Sequence, residues 1–152
     1  MTEHLAVDEV IVLFKGRVIF RQYIPKKHKR FGIKIYNLCD ALGYTYDMSV
    51  YIEKQWLLAT QEMSATHGTV LDLVRRVEGL GHKLNMDNYF SSPALIDDLL
   101  GRKINFCGTV RNDRRGMPKD IASRAIKAKK GDITTRVRVN QSIVRWNNKR
   151  DV

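Results

Sequence analysis

The order in which hydrophobic periodicity changes along the chain restricts its fold more than any other feature. Three segments of extended, β-branched character come first, then a helical segment, a short strand, a second helix and a last strand. These segments are, in order, residues 10–23, 31–39, 44–52, 69–79, 82–86, 93–101 and 104–110. Strands that precede and then alternate with helices are typical of an α/β protein. We therefore predict an α/β fold with a mixed sheet and flanking helices. The tail at 111–138 either runs along a phosphate backbone or is an ordinary loop followed by a strand at 134–139.

Glycine, serine and proline mark the expected ends of both helices. Gly68 or Thr69 is the predicted cap at the start of the first helix, and Gly79 and Gly81 mark its end. Ser92 followed by Pro93 is a favourable start for the second helix, because serine caps the first turn and proline suits its first position.

The net charge of +11 is unevenly distributed along the chain. Residues 10–34 carry eight Lys or Arg and no acid, residues 35–101 have a net charge of −5, and residues 102–150 have a net charge of +12. Two basic blocks that converge around an acidic centre would favour a polyanionic partner such as DNA. The alternative is that the blocks face different directions and only form a solvated surface.

The cysteine content and the hydropathy of the chain indicate its cellular compartment. Cys39 and Cys107 each lie in an apolar, strand-like run, so we predict two small buried hydrophobic residues rather than a disulfide framework or zinc site. The first residues lack the features of a signal peptide, and no apolar run approaches the roughly 18 residues of a membrane span. We expect a soluble, intracellular protein of one domain, residues 1–152, without a membrane partner.

Two aspartates lie where hard cations could bind next to a polyanion. Asp8 opens an apolar run that leads into Lys15 and Arg17, and Asp87 follows the predicted strand at 82–86. Carboxylates in such positions suit two-metal phosphoryl chemistry, in which two ions about 3.5–4 Å apart flank the scissile phosphate. The simpler alternatives are a surface acid at a strand edge for Asp8 and a helix cap for Asp87.

Several segments together resemble the piggyBac transposase family and the host proteins derived from it. The order and spacing of the similar segments match from about residue 5 to residue 152. The segments are Val7-Asp8-Glu9, Phe14-Lys15-Gly16-Arg17, Tyr23-Ile24-Pro25-Lys26-Lys27, Phe31-Gly32-Ile33-Lys34, Met86-Asp87-Asn88-Tyr89-Phe90-Ser91-Ser92 and Gly108-Thr109-Val110-Arg111. A single Asp-Asn-Tyr-Phe run would be a weak signal, but the ordered set is specific.

The resemblance implies a ribonuclease H-like catalytic core with a five-stranded mixed sheet. It implies that Asp8 and Asp87 correspond to the first two of three catalytic aspartates that bind Mg²⁺, and that the chemistry is DNA strand cleavage and joining in the nucleus. It favours DNA over a small-molecule substrate and leaves a homodimer open. The basic residues that it associates with DNA are Lys15, Arg17, Lys26, Lys27, Lys29, Arg30 and Arg111. Without the resemblance, the sequence at 26–30 predicts an ordinary solvated loop.

The third catalytic aspartate of that family has no counterpart in this sequence. Asp151 belongs to the last similar segment, not to the third acidic motif, so we do not assign it this role. We therefore expect an incomplete ribonuclease H-like core that binds Mg²⁺ weakly. The predicted function is a truncated transposase-like DNA-binding domain that is inactive alone. The alternatives are a catalytically silent interaction protein and a metal-dependent nuclease completed by a partner chain.

Overall fold

The computed structural model describes residues 2–25, 30–52, 64–122 and 129–147. Within these ranges, the chain forms eight strands, three α-helices and a 3-10 turn. The strands are β1 (His4–Leu13), β2 (Arg21–Tyr23), β3 (Phe31–Asp40), β4 (Thr45–Val50), β5 (Lys83–Met86), β6 (Asn105–Gly108), β7 (Ile133–Arg138) and β8 (Gln141–Trp146). The helices are α1 (Ala65–Val74), continued by the 3-10 turn Arg75–Val77, then α2 (Pro93–Gly101) and α3 (Lys119–Ala122).

The first six strands form one mixed sheet. A mixed sheet is as predicted, but it has six strands rather than five, because the segment at 10–23 divides between β1 and β2. Its order is β2-β3-β1-β5-β6, and β4 pairs with β3 on the same edge as β2 but further along. Strand β1 is antiparallel to β3 and parallel to β5, which is in turn parallel to β6. The parallel strands are joined through α1 and α2, as parallel pairing requires.

The hydrophobic core lies on one face of this sheet. Side chains alternate between the faces of a strand, and in β1 the residues Leu5 and Val7 are almost fully buried. They form one cluster with apolar residues of β3, β5, α1, α2 and the connecting segments. The other members are Tyr36, Leu38, Val70, Leu73, Val74, Val77, Leu84, Met86, Phe90, Leu95, Leu99 and Ile104. The opposite face carries the intervening residues, including Val10 and Val12, which are about half exposed.

The helix starts agree with the prediction for α2 and differ for α1. The Ser92 side chain accepts a hydrogen bond from the backbone N–H of Leu95 (3.3 Å), and Pro93 opens the helix, as predicted. Helix α1 begins at Ala65 rather than at Gly68 or Thr69, because Ser64 caps it by accepting from the backbone N–H of His67 (3.3 Å).

Two further predictions about the strands were wrong. Strand β1 begins at His4, so Asp8 lies in its middle rather than at its start; the segment before Asp8 is extended because it pairs with both β3 and β5. Cys107 is exposed and Cys39 is partly buried, so the expectation of two buried thiols fails for Cys107. Cys107 lies on β6, which ends the strand order of the described sheet.

A glycine allows the close approach of β6 to β5. Gly108 pairs with Met86, and a Cβ atom at residue 108 would lie 2.0 Å from the carbonyl oxygen of Met86. That separation is far inside van der Waals contact, so a side chain here would displace the end of β5.

Strands β7 and β8 form a separate two-stranded ribbon. Their antiparallel pairing runs from Ile133 with Trp146 to Arg138 with Gln141. Charged side chains connect the ribbon to α2 and α3: Arg138 Nη2 donates to both carboxylate oxygens of Asp97 (2.7 and 2.5 Å), and Arg136 pairs with Asp120. None of the helices that the structure describes is long and apolar enough to cross a bilayer.

Candidate metal and nucleic-acid site

The register of β1 and β5 brings Asp8 and Asp87 next to each other. Val7 pairs with Met86 at the end of the parallel β1–β5 ladder, and the two aspartates are the residues that follow this pair. Neighbouring strands lie about 4.7–4.9 Å apart. The two acids, 79 positions apart in the sequence, therefore lie directly after the last pair of this ladder.

Both aspartates are exposed. Val7 is buried at 2% exposure, and alternation along β1 directs the Asp8 side chain to the face opposite the core, whereas Asp87 lies one residue past the end of β5. Each carboxylate has its Oδ1 engaged locally: Asp8 accepts from the backbone N–H of Glu9 (2.7 Å), and Asp87 accepts from that of Tyr89 (2.9 Å). Within the described part of the chain, Oδ2 of each accepts no hydrogen bond.

Asn37 is a candidate site residue that sequence reasoning missed. It pairs directly with Asp8 across β1 and β3, and side chains that face each other in this way have Cβ atoms about 4.5–5.5 Å apart. Its amide oxygen is a hard ligand of the type that Mg²⁺ accepts. No sequence signal identifies it, because only the register of β3 brings it beside Asp8.

The charge of Asp8 also reaches a thiol on the same face. Burial raises the pKa of the Cys39 thiol, and the nearby carboxylates of Asp40 and Asp8 raise it further. Cys39 pairs with Ala6, two residues before Asp8, and its Sγ donates to the Ala6 carbonyl (3.8 Å). The raised pKa favours the protonated form of the Cys39 thiol.

The two carboxylates suit one divalent cation. Asp8 and Asp87 supply hard oxygen ligands in adjacent positions, which suits Mg²⁺ with several waters retained. Within residues 2–25, 30–52, 64–122 and 129–147, no three His, Cys, Asp or Glu side chains converge to hold a metal. The described residues thus supply two acids, whereas a two-ion site usually needs a third.

The segment that carries Asp87 is tied down by its own side chains. We call residues 87–91 the acidic loop. Ser91 is fully buried, and its hydroxyl donates to the Asp87 carbonyl (2.7 Å), as does its backbone N–H (3.3 Å). Phe90 is also buried in the core. Asp87 is therefore the first residue of a compact turn, and Ser92, not Asp87, caps α2.

Side chains from two other segments reach the acidic loop. Arg114 Nη2 donates to the backbone carbonyls of Asn88 (3.2 Å) and Tyr89 (2.6 Å). The Tyr89 hydroxyl shares a hydrogen bond with that of Tyr36 (3.2 Å). Burial and this hydrogen bond raise the pKa of Tyr36 well above its ordinary value, so Tyr36 stays neutral.

A lysine lies among the tyrosines on the core side of the loop. The ammonium group of Lys34 is 4.8 Å from the ring centroids of Tyr36 and Tyr89 and 5.5 Å from that of Tyr51. Such contacts stabilise the cation through the negative faces of the rings. Lys34 thus helps to hold Tyr89, and through it the acidic loop.

The predicted DNA-binding residues separate into two groups. Lys15, Arg17 and Arg30 are exposed beyond the far end of β1 and at the start of β3. Leu13, the end of β1, is five residues past Asp8, or about 17 Å at 3.3 Å per residue. This group therefore lies away from the acids. Lys26, Lys27 and Lys29 lie outside the described residues.

Arg111 lies at the same end of the sheet as Asp87. It follows β6, whose last residue pairs with Met86. Its guanidinium binds the Asp113 carboxylate through Nε (3.0 Å) and Nη2 (2.5 Å). This pair raises the pKa of Arg111 and lowers that of Asp113. A phosphate would have to compete with Asp113 for this guanidinium.

Comparisons with known proteins give a single consistent result. The family model described as Transposase IS4 matches residues 1–152. The human PiggyBac transposable element-derived protein 3 is 30% identical over 152 residues, which cover 95% of this chain and 25% of that protein.

A solved structure shows the same fold. The cryo-EM structure of a piggyBac transposase synaptic complex with hairpin DNA superimposes with a TM-score of 0.84 at 29% identity. The match covers 97% of this chain and 31% of that one. The chain thus spans about a quarter of the human relative and about a third of the solved transposase chain. The family model, the human relative and this shared ribonuclease H-like core together show that the chain belongs to the piggyBac-type transposase family.

Proposed function

We propose that this chain is the part of a transposase catalytic domain, spanning residues 1–152, that carries the first two metal-binding aspartates and binds DNA in the nucleus. Asp8 and Asp87 hold one Mg²⁺, and the chain alone does not cleave DNA. The observation that supports this proposal is the pairing of Val7 with Met86, because Asp8 and Asp87 directly follow the two members of this last pair.

Each part of the site has a distinct role in the proposal. Asp8 and Asp87 would hold the cation through their carboxylates, whose Oδ1 atoms also accept backbone N–H groups. Asn37 orients a water or ligand on the side of β3. When bound, Mg²⁺ supplies positive charge to a phosphate group, whereas a second ion on the leaving oxygen needs further ligands. Loss of that second ion costs several kcal/mol, or a factor of thousands in rate.

The basic surface supplies DNA binding that is independent of sequence. Lys15, Arg17 and Arg30 are exposed and can neutralise backbone phosphates, while Arg111 does so by exchanging Asp113 for phosphate. DNA in complex with the related piggyBac transposase supports the choice of partner. Each phosphate contact adds about 0.9 to the slope of log affinity against log salt.

Metal binding tests the acidic part of the proposal. Mn²⁺ binding, followed by the paramagnetic resonance of the free ion, is expected to weaken at least tenfold in Asp8→Asn and in Asp87→Asn. The matched control is Asp72→Asn, which removes an exposed acid on α1 and should leave the affinity unchanged. Equal Mn²⁺ affinity in the wild-type chain and both site variants would refute the assignment of the ligands.

DNA experiments test the remaining parts. Plasmid nicking in Mg²⁺ should be undetectable, and nicking that Asp87→Asn abolishes would show that the chain is an active nuclease. Binding to duplex DNA should weaken with salt, and Lys15→Ala and Arg17→Ala should each reduce the slope by about 1. A slope near zero in the wild-type chain would instead favour a silent interaction protein.

A further inference from the structure

Arg114 has an unusual set of contacts for a surface arginine. It lies in the segment after β6, 26 residues beyond Asn88 in the sequence, and donates from Nη2 to the carbonyls of Asn88 and Tyr89. Its Nε is buried and has no hydrogen-bond partner within the described residues. The guanidinium is therefore inserted against the acidic loop rather than extended into solvent.

The two carbonyls need such a donor. Residues 87–89 follow the end of β5 and precede α2, so neither a strand ladder nor a helix satisfies their backbone oxygens. Hydrogen bonds from a charged donor are shorter and stronger than neutral ones, and the bond to Tyr89 is 2.6 Å. By bonding two successive carbonyls, one nitrogen fixes the path of the chain immediately after Asp87.

We propose that Arg114 is a positioning residue for Asp87, acting through the backbone of the acidic loop rather than by contact with DNA. The part that concerns metal affinity rests on the proposed function, since it takes Asp87 as a ligand. The part that concerns the order of the loop rests on the contacts of Arg114 alone. Groups that orient a metal ligand in this way typically change metal affinity by 10–100-fold when removed.

The neighbouring arginines provide the contrast. Arg115 is exposed, and Arg111 binds a carboxylate that phosphate can replace. A phosphate contact contributes to the salt dependence of DNA binding, whereas a guanidinium already bonded to backbone carbonyls does not. Arg114 should therefore affect the acidic loop and the metal without affecting the salt slope.

The experiment compares Arg114→Met, Arg114→Lys and the control Arg115→Met in the full chain. Methionine keeps much of the apolar stem but removes the donors, and lysine restores the charge and a single donor. Hydrogen exchange should be at least tenfold faster in Arg114→Met at the amides of Tyr89 and Ser91, which bond to Asp87. Exchange in α1 and the unfolding midpoint verify that each variant is folded.

The metal and DNA readouts complete the test. The Mn²⁺ dissociation constant should rise about tenfold in Arg114→Met, recover in part in Arg114→Lys and stay unchanged in Arg115→Met. The salt slope of DNA binding should not change in Arg114→Met. A slope lower by about 1 would overturn the inference, because it identifies a phosphate contact.

The outcomes separate this inference from the proposed function. If the folded wild-type chain binds no Mn²⁺, the proposed function fails, while faster exchange in Arg114→Met still supports the role of Arg114 in ordering the loop. If exchange at Tyr89 and Ser91 is the same in Arg114→Met and the wild type, the inference is wrong even when Asp87 binds metal.

Discussion

The six-stranded sheet and the two-stranded ribbon are each stabilised by a different kind of interaction. The sheet is covered on one face by a continuous apolar cluster that includes Leu84 and Leu99, both fully buried. Most apolar residues of the ribbon are exposed, among them Val137 at 71% and Val144 at 54%. Its described contacts with the helices are polar and come from Arg136, Arg138 and Gln141.

This difference indicates how each region should respond to conditions. Burial of apolar surface is little affected by salt, whereas exposed ion pairs are screened by it. The acidic site belongs to the first kind of region, since β1, β5 and the buried Phe90 and Ser91 hold it. The ribbon should therefore detach or open long before the acids separate.

The largest expected loss of stability is in the sheet and comes from Leu84→Ala. Leu84 is fully buried on β5, three residues before Asp87, so its truncation should lower the free energy of unfolding by about 2–5 kcal/mol. Urea unfolding measures this. Leu80→Ala, at a residue 61% exposed, is the control and should change the stability by less than about 0.5 kcal/mol. Equal effects would mean that the cluster does not stabilise the sheet.

A smaller effect is expected at the start of α2, the helix that connects the two regions. Ser92→Ala removes the side-chain acceptor for the Leu95 N–H and should destabilise the protein by about 1 kcal/mol. Thermal unfolding measures this, and Ser142→Ala on the exposed side of β8 is the control. Because α2 carries Asp97, loss of the cap should also loosen the ribbon; unchanged exchange in β7 would contradict this link.

Asp97→Asn should act on the ribbon alone. It weakens the contacts with Arg138 and Gln141, and such exposed pairs contribute about 0.2–1 kcal/mol. We expect faster hydrogen exchange in residues 133–146 with little change in global stability, and the same change in the wild type at high salt. Asp113→Asn, at an exposed pair outside the ribbon, is the control. Faster exchange in β5 as well would show that the two regions are coupled.

The smallest expected effect is on the pH dependence of stability, through the charge of Asp40 on β3. Burial alone would raise the pKa of Asp40, but hydrogen bonds from the Tyr44 backbone, the Tyr46 hydroxyl and the Leu42 backbone outweigh it and hold the pKa below its ordinary value. A carboxyl group whose pKa is lowered in the folded state stabilises the fold at pH values above its unfolded-state pKa of about 3.9. This stabilisation is lost as the pH falls through the folded-state pKa.

This pH effect can be measured with Asp40→Asn. The variant should show a weaker loss of stability below pH ~4 than the wild type. Asp72→Asn, the control used for metal binding, should leave the acid-induced loss unchanged. An identical pH dependence in Asp40→Asn and the wild type would show that the turn at residues 40–44 does not depend on this carboxylate.

The sequence predicted which strands and helices form better than it predicted which strands lie beside each other in the sheet. Periodicity and the Ser92-Pro93 signal identified the alternating strands and helices, because these patterns depend on residues close in sequence. The start of β1 was missed, since Leu5 and Val7 become a strand by pairing with distant β3 and β5. Cys107 was assigned to the interior because composition does not reveal that its strand is the last in the described sheet.

The candidate site shows the same division. Asp8 and Asp87 were identified from their positions beside apolar runs, and the resemblance to a family gave them catalytic roles, which stay a prediction. Asn37 and Arg114 were missed, because a cross-strand neighbour and a donor to backbone carbonyls carry no motif. Both depend on contacts between segments that are at least 25 residues apart in the sequence.

Gly108 gives the sheet an unexpected pattern of tolerance to mutation. Surface residues usually accept many amino acids, and residue 108 is exposed. Yet a methyl group there would collide with the Met86 carbonyl, one residue before Asp87. In a saturation screen, this solvent-facing glycine should behave like an interior residue, and its alanine variant should impair metal binding without removing a single ligand.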